Sequence, residues 1–381
     1  MKKQEIPVLL LTGYLGSGKT TLVNRILKNE RGIKFAVIVN DIGEVNIDAS
    51  LIESGGVVGK KDDSLMALQN GCICCTLKMD LVQQLSDIVA MKRFDYIVIE
   101  ASGICEPAPI AQTICAYPQM YPALAKEGIA RLDAIVTVVD ALRMRDEFGN
   151  GNDLTAKNLG EDDLASLVIQ QVEFCNIVLL NKASEVAPEE LGKLKEIIRV
   201  LQPQAEILEC NYADVGLEKI LNTRLFDFDK VATSAKWIEA IEEHEEEEDG
   251  EESGEALEYG IDTFVYNRRP AFIMGLFDEF VARKWPKNII RCKGMCYFND
   301  EYDTCYVFEQ AGKQVGLRNA GQWYAAMPKD ELREFMAQNP RILQDWDEHY
   351  GDRMQKLVFI GQNLDKKAIA EELDKCLIKR R

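Results

Sequence analysis

The sequence has no apolar run long enough to cross a membrane. Its first hydrophobic stretch, Ile6 to Leu11, ends at Thr12-Gly13 and is too short for a spanning helix or a secretory leader. It also lacks a basic excess. The formal charge of −18 argues against nucleic acid or an anionic membrane as the main partner, because phosphate groups need a face rich in Lys and Arg. There is no sign of a disulfide framework either. Eleven cysteines is an odd count, and a chain of 381 residues can bury a core without cross-links. A cytoplasmic protein of two domains is expected, with its cysteines present as thiols or metal ligands.

The acidity is local. Glu239 to Glu258 holds twelve acidic residues and no Lys or Arg, which leaves only −6 of the −18 for the rest of the chain. Residues 226–258 therefore read as an acidic linker between a domain over 1–225 and a second over 259–381. From His244 to Glu255 the segment is too polar to bury a core. It reads as a solvated tether; weak, exchangeable metal binding by its carboxylates and His244, better suited to hard cations than to zinc, is the alternative.

In the first domain, short apolar runs alternate with helical stretches: Pro7 to Leu11, Phe35 to Val39, Leu65 to Leu68, Phe94 to Ile99, Ala134 to Val139, Ile177 to Leu180 and Ile207 to Cys210. Buried runs in βα alternation imply an α/β fold whose mainly parallel sheet carries helices on both faces. The first run feeds into Gly13-Tyr14-Leu15-Gly16-Ser17-Gly18-Lys19-Thr20-Thr21, the phosphate-binding pattern G-x-x-x-x-G-K-S/T. Glycines let amides curl around phosphate oxygens, Lys19 reaches the β- and γ-phosphates, and Thr20 offers a hydroxyl to Mg²⁺. Leu22, Ile26 and Leu27 then support a helix whose positive end faces the anion.

Glu44 and Asp48 follow the second run, where a parallel sheet places its ligand loops, so either can contact Mg²⁺ or the attacking water; solvated loop carboxylates are the bland alternative. The fourth run ends in Glu100-Ala101-Ser102-Gly103, the form of a Walker-B element. There the acid holds Mg²⁺ through water and the Gly103 amide approaches the γ-phosphate. Asn181-Lys182-Ala183-Ser184 stands where guanine-binding proteins carry Asn-Lys-x-Asp. A serine hydroxyl cannot accept from both guanine donors as a carboxylate does, which weakens strict GTP preference unless Glu185 substitutes.

Gly71-Cys72-Ile73-Cys74-Cys75 crowds three thiols into four positions. Thiolates are soft ligands, and three from one loop fill most of a tetrahedral shell, leaving one position for Glu44, water or a partner. A redox or persulfide site and simple packing are the alternatives. The second domain groups strands near Ile261–Tyr266, Asn288–Phe298, Asp303–Glu309, Gln314–Leu317 and Leu357–Ile360 with helices near Ala271–Trp285 and Lys366–Leu377, a small α+β unit. Cys292, Cys296 and Cys305 lie on its strands at a spacing that matches no recognised metal finger.

Over almost its whole length the chain resembles the CobW-type metal-chaperone GTPases, relatives of the nickel-insertion GTPases of urease and hydrogenase maturation. The resemblance is carried by Gly13 to Thr21, by Val39 to Asp48 as a first switch, and by Asn70 to Leu81 with its C-x-C-C signature. Glu100 to Gly103, Tyr259 to Arg269 and Gly351 to Gly361 extend it. It implies a cytoplasmic GTPase that uses Mg²⁺, binds Zn²⁺ or Co²⁺ at Cys72, Cys74 and Cys75 with help from Glu44, and delivers the ion to a client metalloprotein. A second copy of the chain is a further candidate partner. In that reading Lys19 and backbone amides stabilise the transition state, Asp48 or a neighbouring carboxylate orients water, and Gly13, Gly16, Ser17, Gly18, Thr20, Thr21, Gly103, Asn181 and Lys182 hold the nucleotide. The chain departs from the family at Ser184, at Ala67, and in a linker that is Glu-rich with one histidine, His244. A small-molecule phosphotransferase and a non-catalytic zinc-binding adaptor are the competing readings.

Overall fold

Runs such as Val8-Leu9-Leu10-Leu11 and Ile97-Val98-Ile99 are apolar on both faces of a strand, so they demand cover on both sides of a sheet. In the computed structural model they form β1 (Glu5–Thr12) and β4 (Tyr96–Glu100), inside a seven-stranded sheet. The structure describes residues 5–28, 32–40, 65–70, 78–148, 162–227, 261–312, 314–339 and 346–379. Glu44, Asp48, Cys72, Cys74, Cys75 and the acidic stretch with His244 lie outside them. The described residues divide into two compact units, each with its own sheet.

The first sheet is completed by β2 (Phe35–Asn40), β3 (Leu65–Asn70), β5 (Ile129–Asp140), β6 (Ile177–Asn181) and β7 (Glu206–Glu209). Its order is β3-β2-β4-β1-β5-β6-β7, and every pairing is parallel. Helix α1 (Lys19–Leu27) buries Leu22, Val23 and Ile26 in a core with Leu9, Leu11, Val37, Val98 and Leu179. Helices α2 (Lys78–Ala90) and α3 (Pro107–Met120) lie against β5. Three more helices follow: α4 (Ala141–Phe148), α5 (Asp162–Glu173) and α6 (Pro188–Leu201).

Parallel pairing puts all carboxyl ends on one edge, and the register makes them level. Leu11 and Val39 both partner Glu100, Asn40 partners Asn70, and Asp140 partners Asn181. The loops that carry the sequence motifs therefore leave the sheet side by side, as ligand-binding loops do in open α/β sheets.

The second unit is a five-stranded antiparallel sheet of β8 (Ile261–Arg268), β9 (Ile289–Phe298), β10 (Glu301–Ala311), β11 (Gln314–Gln322) and β12 (Gln355–Gln362), ordered β11-β10-β9-β12-β8. Helices α7 (Met274–Arg283) and α9 (Lys366–Asp374) supply Phe277, Phe280, Ile369 and Leu373 to a core shared with Phe272, Phe298, Phe308 and Phe359. Between them in the chain runs α8 (Lys329–Gln338).

Two expected helices are shorter than the apolar pattern suggested. The segment beginning at Ala271 turns helical only at Met274, because Phe272 forms bridges to Phe298 and Leu377. The closing helix stops at Asp374 for the same reason. Strand β11 runs five residues beyond Leu317, since it is an edge strand held by main-chain pairing to β10 rather than by burial.

Candidate functional site

The phosphate-binding loop follows β1 and closes on itself through Ser17 N–H donating to Tyr14 O at 3.1 Å. Gly13 has a φ of 133°, and a Cβ there would sit 2.2 Å from Val138 O, so no larger residue fits against the neighbouring strand. Gly18 caps α1, leaving the first-turn amides of a helix directed at the loop. Lys19 is buried, and its Nζ donates to Gly13 O at 2.7 Å and Tyr14 O at 3.2 Å. The ammonium thus lies across the mouth of the loop. Ser17 Oγ is buried and has no hydrogen-bond partner among the described residues, which suits a hydroxyl that meets a phosphate oxygen.

Thr20 and Glu100 come together from opposite ends of the motif set. Thr20 Oγ1 donates to Glu100 Oε1 at 2.8 Å, and Glu100 is buried at the end of β4. A hydroxyl beside a carboxylate is a hard-oxygen donor set, the kind that Mg²⁺ takes. Three residues on, a Cβ at Gly103 would lie 2.6 Å from Leu15 N, so the backbone after β4 is packed directly on the phosphate-binding loop. Gln171 of α5 fixes that segment: its Nε2 donates to the carbonyls of Gly103 and Cys105, each at 3.2 Å. Cys105 itself is buried.

Asn181 ties three loops together. Its Nδ2 donates to Ser17 O at 2.8 Å, while its Oδ1 accepts from Ala213 N–H at 3.0 Å and from the Cys210 thiol at 3.7 Å. Burial pushes the Cys210 thiol up to about 11, so it keeps its proton and remains a donor. Lys182, in the left-handed conformation at φ 60°, pairs with Asp140. Asp140 in turn accepts from Leu142 and Arg143 N–H groups at the start of α4. Ser184 is exposed, and its N–H and hydroxyl both donate to Asn211 Oδ1, at 3.0 and 2.8 Å.

The structure thus gathers Gly13, Gly16, Ser17, Gly18, Lys19, Thr20, Thr21, Glu100, Gly103, Asn181 and Lys182 on one sheet edge. Asn40 and Asn70, the register partners from which the chain proceeds to Glu44 and Asp48 and to Cys72, Cys74 and Cys75, end their strands on that same edge. Three further residues of this edge escaped the motif reading. Asp140 ends an apolar run as Glu100 does, and that position was the signal. Gln171 and Asn211 carry none, because their partners are distant in sequence.

Cys292, Cys296 and Cys305 do not assemble a second thiol site. Among the described residues no three Cys, His, Asp or Glu side chains are grouped to hold a metal. Cys292 and Cys296 belong to the aromatic core and Cys305 to a smaller cluster with Tyr297 and Trp323. Burial raises all three thiols, that of Cys305 to about 11, so they pack as neutral groups.

Residues 7–209 match the CobW/HypB/UreG nucleotide-binding domain, and residues 261–377 match the cobalamin synthesis protein cobW C-terminal domain. The zinc-regulated GTPase metalloprotein activator 1 of Dictyostelium discoideum is 35% identical over 390 aligned positions, covering 98% of this chain and 80% of that protein. The zinc chaperone CobW of Pseudomonas aeruginosa is 28% identical over 382 positions, covering 97% and 91%. Among solved structures, Zn(II)-bound YjiA GTPase from Escherichia coli aligns over 98% of this chain and 100% of its own at 19% identity and a TM-score of 0.41. A phosphate-binding loop with its paired Thr20 and Glu100, on a parallel sheet joined to a cobW-type C-terminal domain, places the chain in the CobW/HypB/UreG family.

Proposed function

We propose that the chain is a GTP-hydrolysing metallochaperone that binds Zn²⁺, with Co²⁺ as an alternative ion, at Cys72, Cys74 and Cys75 and passes it to a client metalloprotein. The observation that supports this most is a coincidence of edges. Thr20 and Glu100 meet at 2.8 Å on the sheet edge where β2 and β3 also end, at register partners Asn40 and Asn70. Whatever orders the loops around a γ-phosphate on that edge acts next to the chain that carries the thiolates.

In the hydrolytic half, the Lys19 ammonium exchanges the Gly13 and Tyr14 carbonyls for phosphate oxygens, and the amides of the loop and of the first turn of α1 share the remaining charge. Thr20 and Glu100 are the residues that would hold Mg²⁺, which when bound neutralises charge on the β- and γ-phosphates. Asp48 or a neighbouring carboxylate orients the attacking water, and Gly103 turns its amide to the γ-phosphate. In the carrier half, three thiolates and Glu44 complete a tetrahedral zinc shell, and relaxation of the switch segments after hydrolysis changes its affinity. Asn181 and Lys182 position the base. The relatives named zinc chaperone and zinc-regulated GTPase activator support this choice of cargo and nucleotide. A client metalloprotein is the expected partner; among the described residues no helix is long and apolar enough to cross a membrane.

Phosphate release from GTP in Mg²⁺, with zinc content measured on the same sample, tests the assignment. Hydrolysis without any acceptor, lost by about 10²-fold or more in Lys19→Ala, and zinc lost in the triple Cys72, Cys74, Cys75→Ser variant are expected. GDP release that needs an added acceptor and ignores the cysteines would instead mark a phosphotransferase. Zinc bound with no hydrolysis at all would mark an adaptor.

A further inference from the structure

The loops that leave β6 and β7 open on the same sheet edge as the phosphate-binding loop, within reach of the base of a nucleotide held there. Asn181 fixes both of those loops to Ser17, and the turn Ala183–Glu185 then carries Ser184, which is exposed. The Ser184 N–H can only donate, so the Asn211 atom that receives it is the amide oxygen, and the orientation of the amide follows from that bond.

The pair has a definite polarity. Asn211 Oδ1 already accepts twice, from Ser184 N and Ser184 Oγ, which uses both of its lone pairs. What Asn211 has left to offer is its Nδ2 donors. Ser184 has given its hydroxyl hydrogen to Asn211 and keeps only the oxygen lone pairs. One neutral donor therefore stands beside one neutral acceptor where related sites carry a carboxylate.

A guanine edge presents O6 as an acceptor, then N1–H and the 2-amino group as donors. A carboxylate accepts from both donors. The Ser184–Asn211 pair serves O6 through Asn211 Nδ2 and N1–H through Ser184 Oγ, and the 2-amino group finds no acceptor atom of its own, since one oxygen cannot lie in line with both N–H bonds as the two oxygens of a carboxylate do. We propose that Ser184 and Asn211 are the base-reading pair of this chain and that it selects 6-oxopurine nucleoside triphosphates without reading the 2-amino group, binding inosine and guanosine nucleotides alike. Adenine is disfavoured, because its 6-amino group would face the Asn211 donor. The inference rests on the nucleotide-binding reading above and specifies the substrate class of that site.

Calorimetric dissociation constants for GTP, ITP and ATP in Mg²⁺, on the full-length chain, test it. In the wild type GTP and ITP should agree within about threefold and ATP should bind at least about tenfold more weakly. Ser184→Asp should create a preference for GTP over ITP of about tenfold, the value of one charge-assisted hydrogen bond. Asn211→Ala should weaken GTP and ITP together. A wild-type preference for GTP over ITP beyond threefold would overturn the inference, and its loss in Glu185→Ala would identify Glu185 as the reader instead. ATP bound as tightly as GTP would also overturn it. Binding of none of the three nucleotides would contradict the nucleotide-binding reading itself, and the inference falls with it.

Discussion

Thr20 and Glu100 illustrate how one contact can be both structural and chemical. The hydroxyl donates to a carboxylate that is almost wholly buried, so the pair holds the end of β4 to the start of α1 before any nucleotide arrives. Glu100→Gln keeps the acceptor oxygen and the volume but removes the charge. Its thermal stability should stay close to wild type while Mg²⁺-dependent phosphate release falls by about 10²-fold. A second buried carboxylate, Asp133, has a purely structural role. Burial alone would push it up. The Tyr96 hydroxyl at 2.7 Å, the N–H of Arg224 at 2.9 Å, the Arg131 guanidinium at 3.1 Å and the N–H of Thr223 at 3.0 Å outweigh that and hold it below its ordinary value of 3.8. A folded value below the unfolded one means that the stabilisation is whole above the unfolded value and drains away as pH falls through the folded one. Urea denaturation at a series of pH values should therefore show stability falling below about pH 4 in the wild type. Asp133→Asn should be less stable by about 2 kcal/mol at neutral pH and fall less steeply in acid.

At the scale of elements, the segment after β4 is held from two sides. Gly103 packs on Leu15, and Gln171 of α5 ties down the carbonyls of Gly103 and Cys105. The backbone of Gln171 is itself fixed, since the Thr137 hydroxyl donates to its carbonyl at 2.8 Å and Thr137 Oγ1 meets Thr12 Oγ1 at 2.7 Å. Gln171→Leu should lower kcat for GTP by about tenfold with KM little changed, because it loosens the segment proposed to meet the γ-phosphate and not the loop proposed to bind the nucleotide. Steady-state kinetics separates the two. Gln171 also marks where sequence reading ends. The apolar runs of β1, β2, β4, β5 and β6 announce buried parallel strands, and the glycine pattern announces the loop, because burial and backbone constraint both act on local sequence. A polar side chain in mid-helix whose partners are the carbonyls of Gly103 and Cys105 leaves no local trace. The same holds for Asn211 beside Ser184. Arg318 to Gln322 of β11 and the largely exposed helix α8 are silent in the sequence for a related reason: main-chain pairing or surface packing shapes them without an apolar signature.

For the molecule as a whole, cysteine accessibility gives a global test of where the metal chemistry resides. Seven of the eight described cysteines are buried, and burial lifts the thiols of Cys175, Cys210 and Cys305 to about 12, 11 and 11. Cys115, half-buried, is lifted to about 11. All eight should react slowly with a disulfide reagent at neutral pH, since the thiolate is the nucleophile. In native protein the fast phase should then amount to about three thiols, those of Cys72, Cys74 and Cys75, and zinc should abolish it. Eleven should react after denaturation. A fast phase that zinc leaves untouched would move the metal elsewhere.

In the proposed cycle the nucleotide and the thiolate loop sense each other across one sheet edge. Zinc affinity, measured by competition with a chromophoric chelator with and without a non-hydrolysable GTP analogue, tests it most directly in wild type and Cys74→Ser. Coupling between two sites is reciprocal and typically worth about 5- to 150-fold, so wild-type affinity should shift by at least about fivefold when the analogue binds, and Cys74→Ser should bind zinc weakly with no shift. Equal zinc affinity in all four cases would contradict the account.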